Sequence, residues 1–184
     1  MFKLLATMFL LTSTLAANTY PNPCADAGLV SNLTIQVRDA QVLMSSLSCP
    51  SQELPAHKLA ARAPRNVCGE PCTLVSCDNI TGSPSPGSGN DCAIIADAME
   101  ILSAELGPTY LLNATNGYFK QLVFGSCLTF VGVSAQEDTE ACWSDWSAIV
   151  RQLLNTCPTQ SSGACTSIPP GLTFADFSMQ IRRS

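Results

Sequence analysis

Tyr110-Leu-Leu-Asn-Ala-Thr-Asn-Gly-Tyr-Phe-Lys-Gln-Leu-Val-Phe-Gly-Ser-Cys-Leu-Thr-Phe-Val-Gly-Val133 decides the fold class. Three runs rich in β-branched and aromatic residues are split by two dipeptides that favour tight turns. Asn116-Gly117 suits a two-residue hairpin because both central positions need positive φ. Gly125-Ser126 is a second such signal. The stretch therefore predicts an antiparallel meander with strands at Tyr110–Thr115, Tyr118–Phe124 and Cys127–Val133.

Amphipathic helices flank it. Upstream, Ile94, Ile95, Ala98, Ile101, Leu102 and Leu106 form one apolar stripe. Ser88 and Asp91 have capping-box spacing before it, and Gly107-Pro108 stops it. Downstream, Trp143, Trp146, Ile149, Val150, Leu153, Leu154 and Cys157 recur at three-four spacing until Pro158. Two further strands are predicted, at Cys72–Ile80 and in the alternating run from Phe177 to Arg182. Loops are expected at Gly82–Gly89, Gln136–Glu140 and Thr159–Gly163. The order is strand, helix, three strands, helix, strand. The class is α+β: a mainly antiparallel sheet covered by two amphipathic helices, an α-β sandwich.

The ends of the chain differ in character. Lys3 followed by the apolar run Leu4–Leu15 and by Thr14-Leu15-Ala16 reads as a signal peptide over residues 1–16. The run is too short to span a bilayer, so no membrane span is expected. Residues 17–66 read as an N-terminal extension or pro-segment. Within it Ala27–Leu47 carries Leu29, Leu33, Val37, Leu43 and Leu47 near helical spacing. A basic, Pro-containing linker follows, with a candidate processing point at Arg62. Residues 67–184 form the cysteine-rich domain. That domain holds four Lys/Arg against eleven Asp/Glu, a net of −7, which argues against nucleic acid as a partner.

The chain has ten cysteines: Cys24, Cys49, Cys68, Cys72, Cys77, Cys92, Cys127, Cys142, Cys157 and Cys165. An even number in an exported chain reads as a disulfide framework with the connectivity open. Cys24 and Cys49 flank the segment expected to be helical. A zinc site fits poorly: there is one histidine, His57, and no repeated CxxC knuckle. Asn32-Leu33-Thr34, Asn79-Ile80-Thr81 and Asn113-Ala114-Thr115 are N-glycosylation sequons, and a secreted glycoprotein is the expectation.

Catalysis finds little support. Nucleophilic triads need a histidine near the nucleophile, and His57 lies in the linker. Glu137, Asp138, Glu140 and Asp145 gather near a helix start, but acidic residues there are ordinarily explained by the helix dipole. No calcium-loop spacing is present among them. We expect no cofactor, no metal and no enzyme activity. For binding, Trp143, Asp145 and Trp146 combine the flat apolar faces and planar polar group that sugar recognition uses. They are the candidate glycan contacts, with a core role for Trp146 as the competing reading. Tyr110, Tyr118 and Phe119 form a second aromatic group, which a glycan on Asn113 would crowd.

Several motifs together carry a family resemblance. They are Cys77-Asp78-Asn79-Ile80-Thr81-Gly82, Asn90-Asp91-Cys92-Ala93-Ile94-Ile95-Ala96-Asp97-Ala98, Phe124-Gly125-Ser126-Cys127-Leu128-Thr129-Phe130, Cys142-Trp143-Ser144-Asp145-Trp146-Ser147 and Gly163-Ala164-Cys165 with Phe177–Ile181. Residues 68–184 resemble the small fungal Y-three-like glycan-binding (lectin) domain. Gly163-Ala164 stands where that family usually has Gly-Gly. The resemblance implies a secreted lectin-like sandwich, a glycan or glycoprotein partner, and a homodimer through sheet edges. A secreted effector, toxin or inhibitor that binds a protein is the alternative, and an extracellular hydrolase the third.

Overall fold

Two sheets and two helices organise the computed structural model, which describes residues 26–49, 63–79, 89–113, 119–133, 138–167 and 177–183. In chain order the elements are β1 (Gly28–Val37), β2 (Ala40–Ser48), β3 (Arg65–Asn66), β4 (Leu74–Asp78) and α1 (Gly89–Leu106), then β5 (Thr109–Leu112), β6 (Phe119–Phe124), β7 (Cys127–Val133) and β8 (Thr139–Cys142), and finally α2 (Trp143–Thr156), β9 (Ser162–Ser167) and β10 (Phe177–Arg183). The larger sheet has seven strands in the order β1-β2-β6-β7-β10-β9-β4, all antiparallel. The smaller runs β3-β8-β5, with β3 parallel to β8. The α+β class with a mainly antiparallel sheet and two covering helices is therefore what the chain adopts.

The helix expected over Ala27–Leu47 is instead the β1–β2 hairpin. Its strands are not a separate piece: β2 pairs with β6 through Leu43↔Val123 to Leu47↔Phe119 and extends the sheet. The five spaced apolar residues misled because they lie on both faces of the hairpin. Of the five only Val37 joins Ile35, Val42 and Met44 in the buried row against the core. Arg65-Asn66, expected within a linker, forms β3.

The meander survives only in its second half. β6 and β7 pair across Gly125-Ser126, where Gly125 has φ 53° and an added Cβ would run into the Asp91 carboxylate. β5 does not pair with β6. It turns away to pair with β8 through Tyr110↔Ala141 and Leu111↔Glu140. The Asn116-Gly117 turn, the Gly82–Ser88 loop, His57 and Cys24 lie outside the described residues. Parts of two expected loops, Thr139–Glu140 and Ser162–Gly163, are strand.

Both helices pack on one face of the large sheet. α1 lies over β1, β2, β6 and β7, and α2 over β9 and β10. Ile95, Met99 and Leu102 of α1 meet Trp146, Ile149, Val150 and Leu153 of α2, with Leu122, Val131, Met179 and Ile181 beneath. Full burial of each such side chain contributes about 1.5–3 kcal/mol. α1 ends at Gly107, whose φ of 99° is the left-handed cap conformation. Arg151 ties the helices together, 2.7 Å from Asp97 and 3.0 Å from Glu100.

Four described disulfides complete the framework: Cys68–Cys142, Cys72–Cys165, Cys77–Cys157 and Cys92–Cys127. Cys49 is also disulfide-bonded. No helix among the described residues is long and apolar enough to cross a membrane.

Candidate functional site

The Trp143-Asp145-Trp146 group sits at the first turn of α2. The two indoles stack with centroids 6.0 Å apart, and Tyr110 lies 4.2 Å from Trp143. This is a core cluster. Trp143 is 2% and Trp146 0% exposed, so neither offers a ring face to a sugar. The Trp146 Nε1 donates to the Thr129 hydroxyl at 3.0 Å. The three-four periodicity of α2 had already placed Trp146 on the buried stripe, and Trp143 follows it inward.

The nearby acids are structural as well. Asp145 Oδ2 accepts from the Gly69 amide at 2.6 Å, which fastens the Cys68–Cys142 crosslink to the helix start. Glu140 bridges the small sheet: it accepts from Thr109 Oγ1 at 2.7 Å and from Asn66 Nδ2 at 3.2 Å. Cys68, Cys142 and Asp145 approach one another within metal-binding distance, but the two sulfurs are bonded to each other, so no thiolate ligand is available there. Glu137 is outside the described residues. Asp91 caps the β6–β7 turn rather than its own helix, accepting from the Ser126 amide at 2.8 Å and the Ser126 hydroxyl at 2.7 Å.

The second aromatic group does not assemble either. Tyr110 is buried against the tryptophans, Phe119 lies in the other sheet, and Tyr118 is outside the described residues. Of the sequons, Asn32 lies on β1 with Thr34 exposed on the same face. Asn79 is exposed and its Oδ1 accepts from the Ser161 amide at 3.2 Å. Asn113 follows β5.

A different constellation appears on the sheet face away from the helices. Strand registers place Gln121 beside Phe130 and Phe130 beside Gln180 in one cross-strand row. Paired residues share a face, so Gln121, Phe130 and Gln180 project together. Arg182, two residues along β10, brings its guanidinium carbon to 5.3 Å from the Phe130 centroid. Phe130 is 9% exposed and Leu128 beside it is fully buried. The face thus has a closed apolar centre with a rim of half-buried polar side chains. Burial lowers the Arg182 pKa from its usual value, and the group makes no ion pair among the described residues.

Within β10 the local alternation marks only the buried phase, Met179 and Ile181, and says nothing of this rim. The available signal was β7, Cys127-Leu-Thr-Phe-Val-Gly-Val133. It is apolar in both phases, which marks a strand buried on both faces.

No protein-family model matches the chain, and no curated protein matches it.

Proposed function

We propose that the protein is a secreted, non-enzymatic glycan-binding protein. Its site is the outer sheet face around Arg182, Gln180 and Gln121, not the α2 tryptophans. The observation that carries this is the Arg182 guanidinium resting on the Phe130 ring beside two carboxamides. Sugar hydroxyls are matched by planar donor-acceptor groups held in fixed geometry. The cation–π contact with Phe130 holds the guanidinium at the rim, and the sheet fixes the spacing of the strands that carry the amides. The resemblance to Y-three-like lectin domains supports the same class, and the disulfide framework supports an extracellular setting.

A glycan array on the mature protein tests the reading. Arg182→Ala and Gln180→Ala should each weaken the best array hit by about tenfold or more, the scale of a lost charge-assisted or neutral hydrogen bond made in a desolvated site. Absence of sugar binding by well-folded protein would sink it.

A second reading, an effector, toxin or inhibitor that binds a protein, is favoured by one observation: the β1–β2 hairpin exposes Leu29, Val30, Leu33 and Leu43. Large exposed apolar groups clustered on one element mark interaction surfaces. A pull-down lost on Leu33→Lys but kept on Arg182→Ala would select it. The hydrolase reading returns only if Asp145→Asn or Glu140→Gln abolishes a measured activity while folding is intact.

A further inference from the structure

The sheet face away from the helices carries very little charge, and that charge is placed unevenly. The row through Gln121, Phe130 and Gln180 runs from Asn32 on β1 to Ser76 on β4 and holds no charged residue. The next row runs from Thr34 to Asp78 and holds one cation, Arg182, and one acid, Asp78. Arg182 stands near the middle of the face. Asp78 stands on the edge strand, two strands away past Ser162, and is exposed. Two strand spacings are about 9–10 Å, a separation at which exposed charges are largely screened at physiological salt. Four other acids of this strongly acidic domain, Asp97, Glu100, Glu140 and Asp145, sit on α1, α2 and β8 rather than on this face.

A surface arginine ordinarily keeps its hydration shell. Arg182 is half-buried, beside Leu128 and over the Phe130 ring, and burial lowers its pKa. Its guanidinium has given up water and gained no counter-charge among the described residues. The Phe130 ring offsets part of that loss. An anionic oxygen group offsets more, because a guanidinium donates to it through short, charge-assisted hydrogen bonds. We propose that the sugar taken by this face is acidic: Arg182 holds its anionic oxygens, a carboxylate or a sulfate, while Gln121 and Gln180 hold its hydroxyls. The proposal rests on the glycan-binding reading and names the class of sugar. Gln180 and Arg182 are two residues apart on β10, about 7 Å, and Gln121 lies two strand spacings from Gln180 across Phe130, about 9–10 Å. These three groups frame an area that one sugar ring spans with its exocyclic substituents. A neutral sugar in the same place covers the guanidinium without pairing it, which is a cost. Arg182 therefore sets the preference between acidic and neutral ligands, and the carboxamides serve both.

The test is an array of matched glycan pairs. Each carboxylate-bearing glycan is printed beside its carboxyl-reduced counterpart, and each sulfated glycan beside its desulfated one, so the two anions are read separately. The wild type should bind the acidic member of at least one kind of pair about ten- to a hundredfold more tightly than its neutral partner. Added sodium chloride should weaken that binding and leave any neutral binding unchanged. Arg182→Gln, folded by circular dichroism, should bind both members of a pair within about twofold of each other. Arg182→Lys should keep the acidic preference. Gln180→Ala should weaken both members alike, so that the preference survives the loss of affinity. A role for Arg182 in merely covering Phe130 would not move the acidic-to-neutral ratio. Two results would overturn the proposal and leave the glycan-binding reading standing: wild type that binds neutral members as tightly as acidic ones, or an acidic preference that persists in folded Arg182→Gln. Should any variant fail to fold, the matched pairs and the salt dependence of the wild type decide by themselves. Folded wild type that binds no glycan of either kind removes the glycan-binding reading, and the proposal with it.

Discussion

Trp146 and Thr129 join the second helix to the centre of the sheet. The indole Nε1 donates to the Thr129 hydroxyl at 3.0 Å, and that hydroxyl donates onward to the Gln180 carbonyl at 2.8 Å. Both side chains are fully buried. Thr129→Val preserves shape but strands the indole N–H, at an expected cost of about 1–3 kcal/mol. Trp146→Phe should cost a comparable amount through lost volume. Because the two share one bond, the double variant should lose less than the sum of the singles, by about 0.5 kcal/mol or more. Urea unfolding with disulfides intact measures all four corners. Strict additivity would show that the bond contributes nothing.

Lys120 is a cation on the helix-facing side of β6, in line with Leu122. Its Nζ donates to Ser46 Oγ at 3.3 Å, and burial lowers its pKa. A depressed lysine pKa means that the charged form is penalised in the folded state. The penalty is present below the folded pKa and fades as pH rises toward the unfolded value. Lys120→Met should therefore raise the thermal midpoint at neutral pH, with the gain shrinking in alkaline buffer. A midpoint lowered at pH 7 would refute this.

Which parts of this architecture were legible in the residues follows from local physics. α2 was readable because one narrow stripe, Trp143 to Leu153, is apolar while Ser144, Asp145, Arg151 and Gln152 are polar. The β6–β7 turn was readable because Gly125 is the residue type its positive φ requires. The β1–β2 hairpin was not. Its turn is Arg38-Asp39, and Arg38 adopts φ 52° without being Gly or Asn. β9, Ser162-Gly-Ala-Cys-Thr-Ser167, has little strand propensity. It holds its place between β10 and β4 through tertiary context, with Gly163 fitting closely against Cys157 Sγ. The aromatic candidates failed for a related reason: a tryptophan's chemistry suits both a sugar platform and a core, and burial alone separates them. Arg182 acquires its neighbours from β6 and β7, more than fifty residues away in sequence, and no local pattern carries that information.

Tyr110 makes the alkaline limb of stability predictable. Its hydroxyl is buried with no hydrogen-bond partner among the described residues. Burial first, and the Asp145 charge second, push its pKa well above the usual 10.0. The unfolded chain therefore ionises this phenol at about pH 10 while the folded protein does not. Its contribution is complete below that pH and declines as pH rises beyond it. The urea midpoint should fall above pH 10, and the tyrosinate absorbance of Tyr110 should appear only with unfolding. Tyr110→Phe should flatten this limb and cost little at neutral pH, since it removes an unpaired buried hydroxyl. An unchanged alkaline limb in Tyr110→Phe would exclude Tyr110 as its source.

The hairpin is bound to the rest of the protein in a way that a single cut exposes. The eight cysteines from Cys68 to Cys165 pair among themselves. Cys49 is disulfide-bonded as well, so its bond cannot reach that domain, and no disulfide ties β1 and β2 to it. What holds them is the β2–β6 ladder and the burial of Ile35, Val37, Val42 and Met44 under α1. A protease site inserted between Cys49 and Ala63 should yield two bands on a denaturing gel without reductant. In native buffer the two pieces should co-elute, because separating them exposes four apolar side chains at about 1.5–3 kcal/mol each. The domain refolded without the hairpin should have a bare β6 edge and bind an apolar dye. One band without reductant would mean a covalent link to the hairpin, and dissociation in native buffer would mean that the ladder and burial are too weak to retain it.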